Sequence, residues 1–379
     1  MGNYQPLKGV RILDLSHTLA GPFATLILAD LGAEVIKIEP PEGDESRQFF
    51  PLVNGISAYF LSINRGKKSV VLNLKDESDR KILYNLAKES HILIENYRPG
   101  VREKLGVDPQ TMFKVNGNLI YISIKGFRSG SAYSEKPAYD MIIQAMSGLM
   151  LTTGREGDPP VRIPFALFDI ITGEMAVIYA LAGLLSNTRP YYAEVYLFDS
   201  AIFAMSYLPM MYLIANLKPR RLGSAHPSMA PHQAFMGADG KWFVVAVGND
   251  RQWARLCEAL NLSELKDDPR FKTNDDRVRN RDELANILQK VFLTKSRDEW
   301  LRLLEQHGVP VAPVYDIEEV FKDPYASQLV FEMEHEVLGK IKQLKEPGTI
   351  NGEEPLSLIP PPLLGEDTTT IKSRFSGSG

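Results

Sequence analysis

The sequence predicts an α/β protein built on a parallel sheet, with a smaller α+β domain toward its C-terminal side. Three observations predict it. Short apolar runs alternate with helical patterns through the first 200 residues, which is the signature of strand–helix–strand units. Tight breaks at Gly and Pro separate them. The character then changes near residue 225 to a hairpin signal followed by charged amphipathic helices.

Val10–Leu15 reads as a first strand, ended by Ala20-Gly21-Pro22. Pro22 suits the first turn of a helix running to about Leu31, because its missing N–H has no partner there anyway. Gly32 stops that helix, and Glu34–Ile38 forms the next strand. The pattern repeats with Ser69–Leu74 as strand, Ser78–Glu89 as helix and His91–Glu95 as strand, and Leu119–Ile124 adds another. Apolar helical patterns cover Tyr139–Thr152 and Thr172–Leu185, around a loop of glycine, proline and charge at Gly154–Pro164. Tyr192–Leu197 alternates as a strand does. Asp239-Gly240, set between Ala234-Phe235 and Trp242–Val247, marks a hairpin. Helices are expected at Asp250–Leu260, Asp282–Phe292 and Arg297–Gln306, placing the small domain at 225–325. From about residue 355 the tail is rich in proline and polar residues and is expected to be extended. The closing Ser-Gly-Ser-Gly has linker composition, and no internal repeat is present.

Composition narrows the function. The chain has 379 residues and a formal net charge of −4 with both signs interspersed, so a nucleic-acid footprint is absent. Cys257 is the single cysteine, which excludes an intrachain disulfide and a thiolate metal cluster. No apolar core with a cleavage site opens the chain, so no secretory signal is expected. The most apolar stretch, Val195–Leu217, contains Asp199, Ser200, Ser206 and Pro209, and reads as a buried or subunit-interface helix rather than a membrane span. The expectation is a cytoplasmic protein with no membrane and no nucleic-acid partner.

The common cofactor and hydrolase motifs are missing. No Gly-x-Gly-x-x-Gly follows the first strand, no phosphate-cradling loop precedes a Lys-Ser/Thr pair, and no nucleophile elbow occurs. His226 and His232 lie six apart with no cysteine partner, which supports no metal site. Attention therefore falls on carboxylates. Asp169 sits inside Ile163-Pro164-Phe165-Ala166-Leu167-Phe168-Asp169-Ile170-Ile171-Thr172-Gly173. An acid with apolar neighbours on both sides is either a helix N-cap or a partly desolvated nucleophile. Asp140 and Asp199 compete on the same grounds, and periodicity does not choose among the three.

An ordered series of segments resembles the class III CoA-transferase family, which includes formyl-CoA transferase, carnitine CoA-transferases and α-methylacyl-CoA racemases. It opens with Leu7-Lys8-Gly9-Val10-Arg11-Ile12-Leu13-Asp14-Leu15 and continues through Leu31-Gly32-Ala33-Glu34-Val35-Ile36-Lys37-Ile38-Glu39 to Gly43-Asp44-Glu45-Ser46-Arg47. Asn64-Arg65-Gly66-Lys67-Lys68-Ser69, Glu95-Asn96-Tyr97-Arg98-Pro99-Gly100, Tyr139-Asp140, and Gly308-Val309-Pro310-Val311-Ala312-Pro313-Val314 complete it.

The resemblance implies a large Rossmann-like domain from residues 1–224 with 326–379, a small domain at 225–325, and an interlocked homodimer. It implies Asp169 as the covalent nucleophile that moves CoA from an acyl-CoA, with succinyl-CoA as a frequent donor in the family, to a small carboxylic acid. The route runs through a mixed anhydride and an aspartyl-CoA thioester. Coenzyme A then enters as a substrate, with no permanently bound cofactor. His17, Thr18, Leu19 and Ala20 match the segment near the thiol, while Leu72 and Lys75 match positions near the adenine and phosphates. Asn96, Tyr97, Arg98 and Lys104 match the CoA-binding block. Tyr139 and Gln233, with Arg162 and His232, are the candidates for touching the acid substrate. Two departures matter. Tyr139 stands where the racemase branch has a histidine, which favours a transferase over proton abstraction, because a phenol is a poor base near neutral pH. The glycine run of formyl-CoA transferase is also absent, which argues against formate and oxalate as the substrate pair. A non-catalytic CoA-binding protein would keep these segments and show no turnover.

Overall fold

The computed structural model describes residues 4–376. They divide into two compact units, one of residues 4–149, 162–218 and 328–376, the other of 150–161 and 219–327. The observed limits thus depart from 225 and 325 by a few residues. They also move a short loop into the second unit, where Arg155 bridges Leu222 and the Gly223 N–H donates to the Gly154 carbonyl at 2.8 Å.

In the first unit six parallel strands form one sheet: β1 (Arg11–Asp14), β2 (Glu34–Glu39), β3 (Lys67–Val71), β4 (Ile92–Glu95), β5 (Ile120–Lys125) and β6 (Tyr191–Tyr196). Their order is β3-β2-β1-β4-β5-β6, so connections run one way from β1 to β3 and the other way from β4 onward. The switch falls between β1 and β4, where Leu13 pairs with Leu93. Alternate side chains feed two cores. Ile12, Val35, Ile94 and Ile122 face α1 (Ala20–Asp30) and the long helix Leu167–Leu185, while Leu13, Ile36, Leu93 and Tyr121 face the helices Glu77–Lys88 and Pro109–Val115. Burial on both faces explains why these strands read as continuous apolar runs.

The C-terminal tail forms an antiparallel ribbon, Val330–His335 with Gly339–Leu344, then crosses to the free edge of β3. There Asp367 accepts from the Ser69 N–H at 3.0 Å and Thr368 accepts from the Val71 N–H at 2.9 Å, so side chains finish an edge that would otherwise be open. The expected extended tail therefore ends in a helix, Thr368–Phe375, whose Ile371 and Phe375 enter the core. The linker-like Ser376 is the last described residue, and the three after it lie outside the described residues.

Val195–Leu217 is not one buried helix. It completes β6 and then forms Leu197–Ala204 and Tyr207–Ala215, bent by 75°. The second of these has no buried residue. Leu167–Leu185 is long and apolar enough by composition to cross a membrane, yet it packs on α1, β5 and β6 as a core helix does.

The second unit has a three-stranded antiparallel sheet of His232–Met236, Trp242–Ala246 and Val311–Pro313, with Gly240 at φ +74° in the expected hairpin turn. Phe235, Phe243, Trp253, Phe292 and Trp300 form its core.

Candidate active site

Two helices of the first unit start at the C-terminal edge of the parallel sheet. Helix α1 follows β1, and the helix Leu167–Leu185, named α2 here, precedes β6. Both run antiparallel to the strands, hence parallel to each other. They touch at Gly173, where a Cβ would sit 2.6 Å from the Ala20 carbonyl oxygen and 3.3 Å from the Phe23 ring. Only glycine permits that approach. One turn earlier on the same face stands Asp169, level with the turn His17–Ala20 that joins β1 to α1. That turn lies at the topological switch point, where open α/β sheets place their ligands.

Asp169 is in the first turn of α2 and is not its cap. The capping is supplied from outside by Asp140, which accepts from the Phe168 N–H at 2.8 Å and from the Gln144 amide at 2.6 Å. The carboxyl of half-buried Asp169 has no hydrogen-bond or ion-pair partner among the described residues. Burial pushes its carboxyl up, and the Asp140 carboxylate adds to the shift, to about 7. Tyr59, on the short helix Ala58–Ile63, belongs to the same neighbourhood. Burial and then the charges of Asp169, Asp44 and Asp140 push its phenol up to about 12, so it stays a neutral donor.

The turn opposite is pinned from several sides. Asn96, just past β4, accepts from the His17 N–H at 2.9 Å and donates to the His17 carbonyl at 2.8 Å. The His17 and Tyr97 rings lie 5.7 Å apart. Burial lowers the His17 pKa and Lys37 lowers it further, so the imidazole is neutral at neutral pH. Beneath the turn lies a fully buried ionic network. Lys37 pairs with Asp44 at 2.8 Å and donates to the Ser16 carbonyl at 2.8 Å. Lys67 contacts Asp14 at 3.2 Å, the Pro22 carbonyl at 2.8 Å and Asn64 at 2.8 Å. Burial alone would raise Asp14, but Lys67 and Lys37, with the Ser16 and Thr25 hydroxyls, hold it to about 2.

The sequence candidates therefore separate. His17, Thr18, Leu19, Ala20, Asn96 and Tyr97 converge at the switch point. Arg98 joins them through a 2.7 Å hydrogen bond to the Tyr139 hydroxyl, whose neighbour Asp140 caps α2. Lys75 and Lys104 are exposed at the same sheet edge. Leu72 is 1 % exposed in the core, so only its backbone is free to meet a ligand. Arg162 is exposed and bonded to nearby backbone carbonyls. Gln233 and His232 belong to the second unit, Gln233 opposite Val245. Sequence reasoning missed Tyr59, gave no role to Asp14 or Lys37, and put Lys67 in a basic cluster, Arg65-Gly66-Lys67-Lys68, for a phosphorylated ligand, whereas Lys67 is fully buried against Asp14. The signal for Asp14, Lys37 and Lys67 was charge inside strands that must be buried on both faces, since such charges need partners.

Fold and site together describe an α/β protein with a partly buried, unpaired carboxyl beside the switch-point turn of its parallel sheet. The model of CoA-transferase family III matches residues 7–368. Succinyl-CoA:glutarate CoA-transferase of Homo sapiens is 41% identical over 379 residues, covering 98% of this chain and 86% of that protein. Acetyl-CoA:oxalate CoA-transferase of Acetobacter aceti is 39% identical over 324 residues, covering 84% and 83%. A crystal structure of a CAIB/BAIF family protein from Brucella suis superposes with a TM-score of 0.86 at 34% identity, covering 98% of this chain and 99% of that one. The chain belongs to CoA-transferase family III and is a CoA-transferase.

Proposed function

We propose that Asp169 is the covalent nucleophile and that the chain moves CoA from succinyl-CoA to a dicarboxylic acid of the glutarate type. One observation carries the mechanism: a desolvated carboxyl beside a second acid, with no cation paired to it among the described residues. Such a site penalises the carboxylate and favours neutral forms, and the acylated aspartate is neutral. The Asp169 oxygen attacks the thioester carbonyl, the C–S bond breaks, and CoA thiolate leaves a mixed anhydride. The thiolate then attacks the aspartyl carbonyl, releasing the donor acid and leaving an aspartyl-CoA thioester. An acceptor carboxylate attacks that thioester, and the freed thiolate finally takes the acceptor's acyl group, restoring Asp169. Backbone N–H groups at the start of α1 would stabilise the oxyanions.

His17–Ala20, Asn96 and Tyr97 would line the thiol and pantetheine. Arg98, Lys75 and Lys104, with backbone at Leu72, would meet the nucleotide. Tyr139 and Gln233 would meet the acid, and no resident cofactor takes part. The strand order 3-2-1-4-5-6 supports the Rossmann-like reading of the larger unit. The similarity to the human relative suggests the substrates, and the Acetobacter aceti protein keeps oxalate in the panel to be tested. Phe203, Leu213 and Ile214 are 81%, 70% and 77% exposed, an apolar surface that supports a homodimer, interlocked as in the family. A cytoplasmic location, without membrane or nucleic-acid partners, fits this reading.

The test is trapping. Protein mixed with succinyl-CoA, acetyl-CoA or oxalyl-CoA is quenched with hydroxylamine and its peptides are weighed. A hydroxamate on Asp169 is expected with succinyl-CoA. An unmodified peptide with every donor, in a protein that turns over, would remove the covalent mechanism.

A further inference from the structure

Thr18 has φ +68°, in the left-handed region. For a β-branched residue this is a strained conformation, which persists only where its surroundings over-determine it. The residue that does so is Asp44. Its two oxygens accept from the Thr18 N–H at 3.2 and 3.3 Å, and it is 1 % exposed. Asp44 is itself aimed by three groups. Lys37 pairs with one oxygen at 2.8 Å, and the Ser46 N–H and hydroxyl donate to the other at 2.9 and 2.8 Å. The Asp44 N–H in turn donates to Glu39 at 3.0 Å, and Arg47 forks onto Glu39 at 2.7 and 2.6 Å.

We infer that Asp44 is a positioning residue for CoA transfer: it holds Thr18 in the left-handed conformation that sets the β1–α1 turn against Asp169. The Asn96 clamp fixes His17 but leaves Thr18 free to relax; the Asp44 carboxylate removes that freedom. Relaxation of Thr18 would swing the start of α1, with its backbone donors, away from the α2 carboxylate. The inference rests on the reading of Asp169 as the reaction centre. It concerns geometry alone, since Asp44 touches no reacting atom.

The test uses the one substitution that makes the clamp unnecessary. Glycine adopts positive φ without steric cost. Asp44→Asn, Thr18→Gly and the double variant are compared for kcat and for KM of the acyl-CoA. The assay uses whichever of succinyl-CoA or acetyl-CoA, with glutarate or oxalate, turns over fastest. Asp44→Asn should lower kcat by about tenfold or more with a smaller change in KM, since small misplacements of reacting groups are costly. In the Thr18→Gly background the same substitution should cost only about twofold, because additivity fails for coupled neighbours. A double variant that loses the full product of the two single effects would overturn the inference, as would wild-type kcat in Asp44→Asn. Should Asp44→Asn fail to fold, Ser46→Ala, which removes one of the groups aiming Asp44, takes its place. Its smaller loss of kcat must again shrink in the Thr18→Gly background, and a loss that does not shrink sinks the idea. Inactivity of Asp169→Ala with additive behaviour at Asp44 and Thr18 would leave the nucleophile standing and remove only the positioning role.

Discussion

Asp14 and Asp169 are both withdrawn from water, yet burial leads them to opposite states. Asp14 lies among Lys67, Lys37 and two hydroxyls and is held to about 2, while Asp169 has only Asp140 for electrostatic company and rises to about 7. Desolvation acts in the same direction on each; the neighbours decide the outcome. A carboxylate locked in ion pairs is a structural part, since any reaction at it would strand buried cations. One without partners can change its charge at little cost to its surroundings, which is what covalent catalysis asks of it.

The largest way to break the comparison is to remove each acid in turn. Asp169→Ala should reduce transfer by about 10⁴-fold or more, the scale set by removing a nucleophile. CoA affinity measured by calorimetry should stay within a few-fold. Asp14→Asn should act on folding instead. It leaves Lys67 short of its counter-charge and should cost about 3–5 kcal/mol in urea unfolding. If Asp14→Asn folds normally and only transfer falls, the division of labour drawn here is wrong.

The acid limb of kcat/KM sharpens it further. In the proposed mechanism the attacking form is the carboxylate, so activity should rise with pH through about 7. Asp140→Asn keeps an acceptor for the Phe168 N–H and removes the like charge. Its limb should move to lower pH but stay well above the ordinary aspartate value, because burial is the larger cause. An unmoved limb would mean that the limb reports another group.

The smallest expected effect is on stability. The folded-state pKa of Asp169 is raised from 3.8, so the protonated acid favours folding below 3.8 and that contribution is lost as pH rises through about 7. Asp169→Asn should therefore melt a little higher than wild type at pH 8.5 and equally at pH 4. Asp14 has the opposite sign: its lowered pKa stabilises the fold above 3.8, and that support fades as pH falls toward about 2. Scanning calorimetry across pH separates the two.

Much of this was legible in the sequence because parallel strands must be apolar and breaks must be Gly or Pro. The helix Arg297–Gln306 was found to the residue, and five of the six parallel strands to within two residues at each end. Ser69–Leu74 was set late, because Lys67 and Lys68 look like surface charges until their partners Asp14 and Glu34 are known. Tyr139–Thr152 split in two at Gly148, whose φ of +89° a helical pattern does not announce. The start of α2 was missed for a similar reason. Its cap is Asp140, 28 residues away, and a window of local sequence contains no such donor–acceptor pair. Resemblance singled out Asp169, but only tertiary structure explains why that carboxyl stands alone while Asp14 does not.

The contact at Gly173 has a consequence for diversification. Backbone meets backbone there, with the Phe23 ring alongside. The gap between Asp169 and the β1–α1 turn is therefore set by main-chain contact, and any side chain at Gly173 would widen it. On the proposed reading, a lineage seeking new acids would leave that distance alone and vary the surrounding walls, at positions such as Tyr139. The chemistry is inherited as a fixed gauge, and the choice of substrate as a replaceable fitting.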